Sequence, residues 1–211
     1  MRATEAVADA SQLADQRRTQ IIDEARRLFG ERGTTEVSMD EIATHAGVAR
    51  STVYVYFANR AELLVACVDT LYHQLTASLE VGLDQDPPAR LTSLFAALFR
   101  TIDDHPAFFR LAIATQGTQG QLGQAMAANL AVIGAEMEAA LVDLLTAGAA
   151  DGSWRAPDPA GLSILVGQQI FGALLVRAAD PQPPPADHAA NILATYVTYG
   201  LNPPHQQGER P

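Results

Sequence analysis

Two short helices hinged on a glycine leave a chain few ways to pack, and residues 38–64 carry that pattern: SMDEIATHAGVARSTVYVYFANRAELL. Ser38-Met39-Asp40-Glu41 reads as a capping box. The serine caps a helix, and Glu41 reaches back to the serine backbone. This helix is short, because Gly47 arrives directly after His45-Ala46. Glycine can take the left-handed backbone angle that a tight turn needs. A further short helix is predicted over about 50–56. Asn59-Arg60-Ala61-Glu62 then forms a second cap signature, opening a long helix with Leu63, Leu64, Cys67, Val68 and Leu71 on its apolar side. Helix, tight turn, helix is the layout of a helix-turn-helix.

Each residue type in this run has a task. Ala43 is small where the second helix must come close. Ile42, Val48 and Val53 form a small core, and Phe57 reads as core as well. Arg50, Ser51 and Tyr54 are left facing outward near the N-terminal end of the second helix, the end that enters the major groove in such motifs. Arg50 can donate two hydrogen bonds to guanine. Ser51 and Thr52 can meet base edges or phosphate. Tyr54 and Tyr56 offer hydroxyls to phosphate and rings to thymine methyls or sugars. Arg60 lies in the first turn of the next helix, where a cation opposes the dipole, so its presence points to a nearby anion such as phosphate. Taken singly, Tyr54 and Tyr56 are equally packing aromatics and Arg50 a solvated arginine. Arg17 and Arg18 read either as an arm reaching phosphate or the minor groove, or as a solvated helix start.

The rest of the chain repeats helical periodicity, and no period-two strand pattern stands out. A first helix is expected over about 15–31, with Ile21, Ile22, Ala25, Leu28 and Phe29 on one face and Gly33 placed to end it. Later helices are expected over about 89–103, 106–115, 121–149, 159–178 and 187–199, separated by Asp86-Pro87-Pro88, His105-Pro106, the 117–123 glycines, the Gly152-Ser153-Trp154 turn and the proline-rich 181–185 loop. The fold class is therefore all-α, with about nine helices. Four segments follow: a flexible N-terminal arm over 1–14, a helix-turn-helix domain over 15–61, a helical regulatory and dimerisation domain over 62–201, and a disordered tail over 202–211.

A net charge of −10 and a pI near 4.8 argue at first sight against nucleic acid. Their distribution weakens that argument. Between Asp15 and Ala61, seven arginines balance seven acidic residues, so most of the acidity lies elsewhere. The single cysteine, Cys67, forms no internal disulfide and builds no metal framework. The first residues carry Glu5, Asp9 and Asp15 without an apolar segment, unlike a signal peptide, and a cytoplasmic location is expected. The uncharged stretch 160–176 is short for a membrane span and contains Ser163, Gln168 and Gln169, so it is read as a buried helix rather than a membrane segment.

The run from Gly47 to Leu63 resembles the signature of the TetR family of bacterial repressors: Gly-Val, then Ser51-Thr52-Val53-Tyr54, then Tyr56-Phe57, then Asn59-Arg60, then Glu62-Leu63. Phe29-Gly30-Glu31-Arg32-Gly33 and Ser38–Ala43 resemble that family too. The similarity covers about the first third of the chain; beyond it only the helical layout and the turn before Trp154 match. The resemblance implies DNA contacts at Arg50, Ser51, Thr52, Tyr54, Tyr56 and Arg60, with Ser38 near the DNA backbone. It implies double-stranded operator DNA as partner, and an apolar effector that lodges in the helical domain and shifts the long fourth helix.

Enzyme chemistry finds no support in the sequence. The five histidines form no HExxH and no close pair, Gly161-Leu162-Ser163-Ile164-Leu165 lacks the second glycine of a nucleophile elbow, and Asp103-Asp104-His105 is better explained as a helix end. No metal and no cofactor is expected. The effector is expected among Phe95, Phe99, Phe108, Phe109, Met126, Met137 and Phe171, with Gln116, Asn129, Gln168 and Gln169 as orienting amides. The two glutamines weigh most, because an amide inside an apolar helix must find a partner. The alternative is that the phenylalanines and methionines are ordinary core and the glutamines bond across a dimer interface. A homodimer through the last two long helices is expected, because 160–176 is apolar nearly all round. A DNA-binding dimer without an effector is the second functional reading.

Overall fold

The computed structural model describes residues 2–115 and 121–201; Gln116, the side chain of Met126 and the 202–211 tail lie outside the described part. Among the described residues there are nine α-helices and no strand: α1 Arg2–Arg32, α2 Met39–His45, α3 Arg50–Tyr56, α4 Arg60–Ala77, α5 Pro87–Asp104, α6 Pro106–Thr115, α7 Gln121–Ala150, α8 Pro159–Ala179 and α9 Ala186–Leu201. A short 3-10 turn, Ser78–Glu80, follows α4. The all-α expectation is thus met. The first helix starts earlier than expected: α1 begins at Arg2 rather than near residue 15. Residues 2–14 hold five alanines and neither glycine nor proline, so nothing in them breaks a helix.

The chain forms two compact units, Met1–Tyr72 with His105–Asn129, and His73–Asp104 with Leu130–Pro211. In the first, the expected face of α1 is the core. Ile21, Ile22, Ala25, Leu28 and Phe29 are all buried, together with Ile42, Val53 and Phe57 of the helix-turn-helix and Phe108 and Phe109 of α6. Cys67 is buried here as well, its thiol 3.7 Å from the Ile22 carbonyl, and burial pushes its pKa up. Asn129 donates to the Asp69 carboxylate, linking α7 to α4 within the same unit.

In the second unit α5 is the central amphipathic helix. It buries Leu91, Leu94, Phe95, Leu98, Phe99 and Ile102 and packs against α8 and α9. Arg177 of α8 is buried among these groups. Its Nε and Nη2 donate to the two carboxylate oxygens of Asp103 at 2.6 and 2.5 Å, its Nη1 donates to the Pro184 carbonyl at 2.8 Å, and its guanidinium lies 5.2 Å from the Phe99 ring centroid. The proline-rich loop is therefore tied back to α5 through one side chain. Trp154 folds against the C-terminal part of α7 and donates its indole N–H to the Leu145 carbonyl at 3.0 Å.

By length and composition α8 is apolar enough to cross a membrane, but in the single chain it is only partly covered. Ile164, Leu165 and Val176 of α8, with Ile192, Tyr196 and Tyr199 of α9, are exposed. A groove of about 790 Å³ lies along this face, lined by Leu162, Leu165 and Gln169 from α8 and by Ile192, Tyr196 and Tyr199 from α9. Gln168 and Gln169 are both exposed, which corrects the reading of buried amides: α8 turns this side outward, so water satisfies them in the single chain.

Candidate nucleic-acid interface

The helix-turn-helix is built from local chemistry. Ser38 caps α2 as a full capping box: the Glu41 N–H donates to Ser38 Oγ at 3.2 Å, and the Ser38 N–H donates to Glu41 Oε2 at 3.0 Å. Glu41 Oε1 also meets Arg32 Nη1 at 3.0 Å. These donors, the Ser38 backbone first and then Arg32 and the Ser38 hydroxyl, hold the Glu41 carboxyl down at about 2. At the other end of α2, Gly47 takes φ +63°, and the Val48 N–H donates to the Ala43 carbonyl at 3.0 Å. A side chain there would be forced into the left-handed region, so glycine sets the angle between α2 and α3.

One face of α3 is anchored and the other is open. Val53 is fully buried, whereas Tyr54 is 42% and Val55 79% exposed. Arg50 and Ser51 are exposed, and Thr52 and Tyr56 half-buried. The side-chain hydroxyls of Ser51, Thr52, Tyr54 and Tyr56 have no hydrogen-bond partner among the described residues. Donors and acceptors that the fold does not use are what a reading surface must offer. The Arg50 guanidinium is held on two sides. Its Nε lies 2.9 Å from Asp40 Oδ1 of α2, and its carbon lies 5.6 Å from the Tyr54 ring centroid.

The remaining expected contacts are partly engaged. Ser38 is exposed, but its hydroxyl donates to Glu41 Oε2 at 3.0 Å, so it reaches an acceptor such as phosphate only by giving up that bond. Arg60 is exposed on the first turn of α4, where Nη1 donates to the Thr35 carbonyl at 3.3 Å. The cap it follows is formed as read: Asn59 Oδ1 accepts the Glu62 N–H at 3.0 Å, and the Glu62 carboxylate accepts the Ala58 N–H at 2.8 Å. Arg18 lies over the Phe57 ring at 5.4 Å, so α1 contributes a cation beside the motif core.

Ion pairs take up most charges of this neutral segment, the pair of Arg26 with Asp23 at 4.0 Å included. Glu24 and Glu31 both pair with Arg27, Glu41 with Arg32 and Asp40 with Arg50. Arg17, Arg18 and Arg60 have no carboxylate partner among the described residues, and Asp15 and Glu36 have no cationic one. Asp40 is the residue that sequence reasoning missed. Its only sequence signal is an acidic side chain two positions after the capping serine, and the turn at Gly47, not spacing along one helix, brings it to Arg50.

The expected effector residues fall into different settings. Phe95 and Phe99 are core of the second unit, and Phe108 and Phe109 core of the first. Met137 and Phe171 are half-buried, and Asn129 is engaged with Asp69. No group of three or more metal-ligating side chains occurs among the described residues.

Residues 21–67 match the family described as bacterial regulatory proteins, tetR family. An uncharacterized HTH-type transcriptional regulator of Mycobacterium tuberculosis is 34% identical over 117 residues, which are 54% of this chain and 56% of that one. The chain thus spans about half the length of that relative. The HTH-type transcriptional regulator EthR of Mycolicibacterium smegmatis is 27% identical over 199 residues, covering 89% of this chain and 86% of that protein. Among solved structures, the TetR family transcriptional regulator PfmR of Thermus thermophilus matches with a TM-score of 0.66 at 22% identity, covering 87% of this chain and 99% of that one, a likeness of fold.

Proposed function

We propose that this chain, whose residues 21–67 match the family of tetR bacterial regulatory proteins, is a sequence-specific DNA-binding regulator, a cytoplasmic repressor that leaves a palindromic operator when a small, mainly apolar effector binds. The family is one of transcriptional regulators, not of enzymes. The observation that carries the reading is the open face of α3. Arg50, Ser51 and Tyr54 are exposed while Val53 anchors the helix from behind. Thr52, Tyr56 and Arg60 flank this face as further contacts to base edges or phosphate.

The dimer in this proposal rests on the exposed apolar side chains of α8 and α9. A second copy applying the same face builds a two-fold four-helix bundle and removes that surface from water. Two reading heads on a two-fold axis match two half-sites of a palindrome. Packing of Phe95, Phe99, Phe108 and Phe109 into cores favours the second reading, a dimer with no effector.

The test is selection of bound duplexes from a random pool, followed by titration at fixed salt. A palindromic consensus bound far more tightly than unrelated DNA is expected; binding without sequence preference overturns the proposal. Release of that duplex by an apolar compound separates the sensing from the non-sensing regulator.

A further inference from the structure

We propose that Asp40, a residue of α2 rather than of the reading helix, is a positioning residue that sets Arg50 for guanine and so fixes one base pair of each half-site. The inference rests on the DNA-binding reading above and adds to it which base is read and what aims the reader.

A carboxylate on a face offered to phosphates is unfavourable by itself, since like charges repel. Asp40 is exposed there, in the first turn of α2, and its Oδ1 lies 2.9 Å from Arg50 Nε. The pairing uses one edge of the guanidinium. Nη1 and Nη2, which form its outer edge, meet no acceptor among the described residues. That outer edge is the fork that matches O6 and N7 of guanine in the major groove. Tyr54, one helical turn along α3, lies beneath the same group at 5.6 Å and limits its remaining freedom. A long, flexible side chain is thereby held near one direction before DNA arrives, and less rotamer freedom is lost on binding. Adenine presents N7 with an amino donor where guanine presents O6, so a rigid two-donor fork rejects it. An unrestrained arginine could turn to a phosphate instead.

The experiment uses the full chain and the duplex obtained by selection, with every single-base-pair substitution of one half-site, at constant salt. Wild type is expected to lose on the order of tenfold or more in affinity when one particular guanine is replaced. Arg50→Ala abolishes discrimination at that pair. Asp40→Ala lowers discrimination at the same pair several-fold and leaves the other positions as in wild type. Asp40→Glu restores part of it. The double variant discriminates no worse than Arg50→Ala alone. A purely structural role for Asp40 would instead weaken binding to all duplexes alike. That outcome, unchanged discrimination in Asp40→Ala, or a shift at a different base pair, as when Asp40 itself reads a cytosine amino group, overturns the proposal while leaving the DNA-binding reading intact. If wild type selects no consensus, both fail together. Should Asp40→Ala lose helix content by circular dichroism, Asp40→Asn, which keeps shape and a cap-like polarity, carries the same test.

Discussion

A Cβ placed on Gly148 would stand 2.2 Å from Cε2 and 2.3 Å from Cζ2 of Trp154. The last turns of α7 therefore have a glycine because an indole occupies the space. Trp154 is 2% exposed and holds its place by the bond to the Leu145 carbonyl. Gly148→Ala would raise helix propensity on a free surface, but here the clash wins. A loss of about 1–3 kcal/mol is expected from overpacking. Thermal unfolding followed by the fluorescence of this sole tryptophan measures it, and a stabilised variant would contradict the packing described.

Arg50→Ala and Tyr54→Ala are each expected to lose about 1–3 kcal/mol of operator binding per half-site. Both side chains are exposed, so helix content should stay as in wild type. Binding titrations at fixed salt with a circular dichroism control decide it. Unchanged affinity in both variants would remove α3 as the reading helix.

Glu41 makes the stability of the helix-turn-helix depend on acid in a defined window. Its carboxyl lies at about 2 in the folded chain against an ordinary 4.5. A depressed carboxyl contributes stability that is complete above the ordinary value and is lost as pH falls towards the folded one. Glu41→Gln should therefore be less stable than wild type at neutral pH, and the gap should close between about pH 4.5 and 2. Unfolding midpoints measured in parallel across that range check the sign. A gap that widens on acidification would contradict it.

Charge placed on the open face of α8 and α9 should leave a folded monomer. Leu165 and Ile192 are more than half exposed in the single chain, so Leu165→Glu with Ile192→Glu disturbs no core. Light scattering is expected to show one chain per particle. Operator affinity should fall by roughly a hundredfold or more, as two linked half-site contacts become independent. A dimeric mass for this variant would place the interface elsewhere.

Arg177→Ala is expected to destabilise the second unit by about 1–3 kcal/mol, the range for losing hydrogen bonds to a charged group, since the Asp103 carboxylate left behind is a third exposed to water. Arg177 is 5% exposed at the side chain, and its removal also breaks the bond to the carbonyl of the exposed Pro184. Arg177→Met, which keeps most of the volume over Phe99, should lose less. Urea titration of the two variants orders them.

What the sequence disclosed depended on how far apart the partners lie. The cap at Ser38 and Glu41, the turn at Gly47 and the buried Phe57 involve residues a few positions apart or a single apolar face, and helical periodicity exposes both. Arg177 and Asp103 are 74 positions apart, and no spacing rule joins them. Periodicity was also mute on what covers a face. The 160–176 stretch is apolar nearly all round, yet Gln168 and Gln169 turn outward, because part of that helix has no cover within its own chain. Asp40 escaped for a related reason: an acidic residue in the first turn of a helix is already explained by the dipole, so nothing in the sequence asked for a second role.

With the partner of Arg50 on another helix, a clean change of that base reader involves two positions rather than one under the proposal. Changing Arg50 alone leaves Asp40 a bare carboxylate beside the DNA. Changing Asp40 alone leaves an arginine free to wander among phosphates. Under the proposal, a change at either position alone keeps the other contacts of the half-site and blurs the reading of that one base pair. The ion pair across the turn thereby couples two helices in any change of the base pair that Arg50 would read.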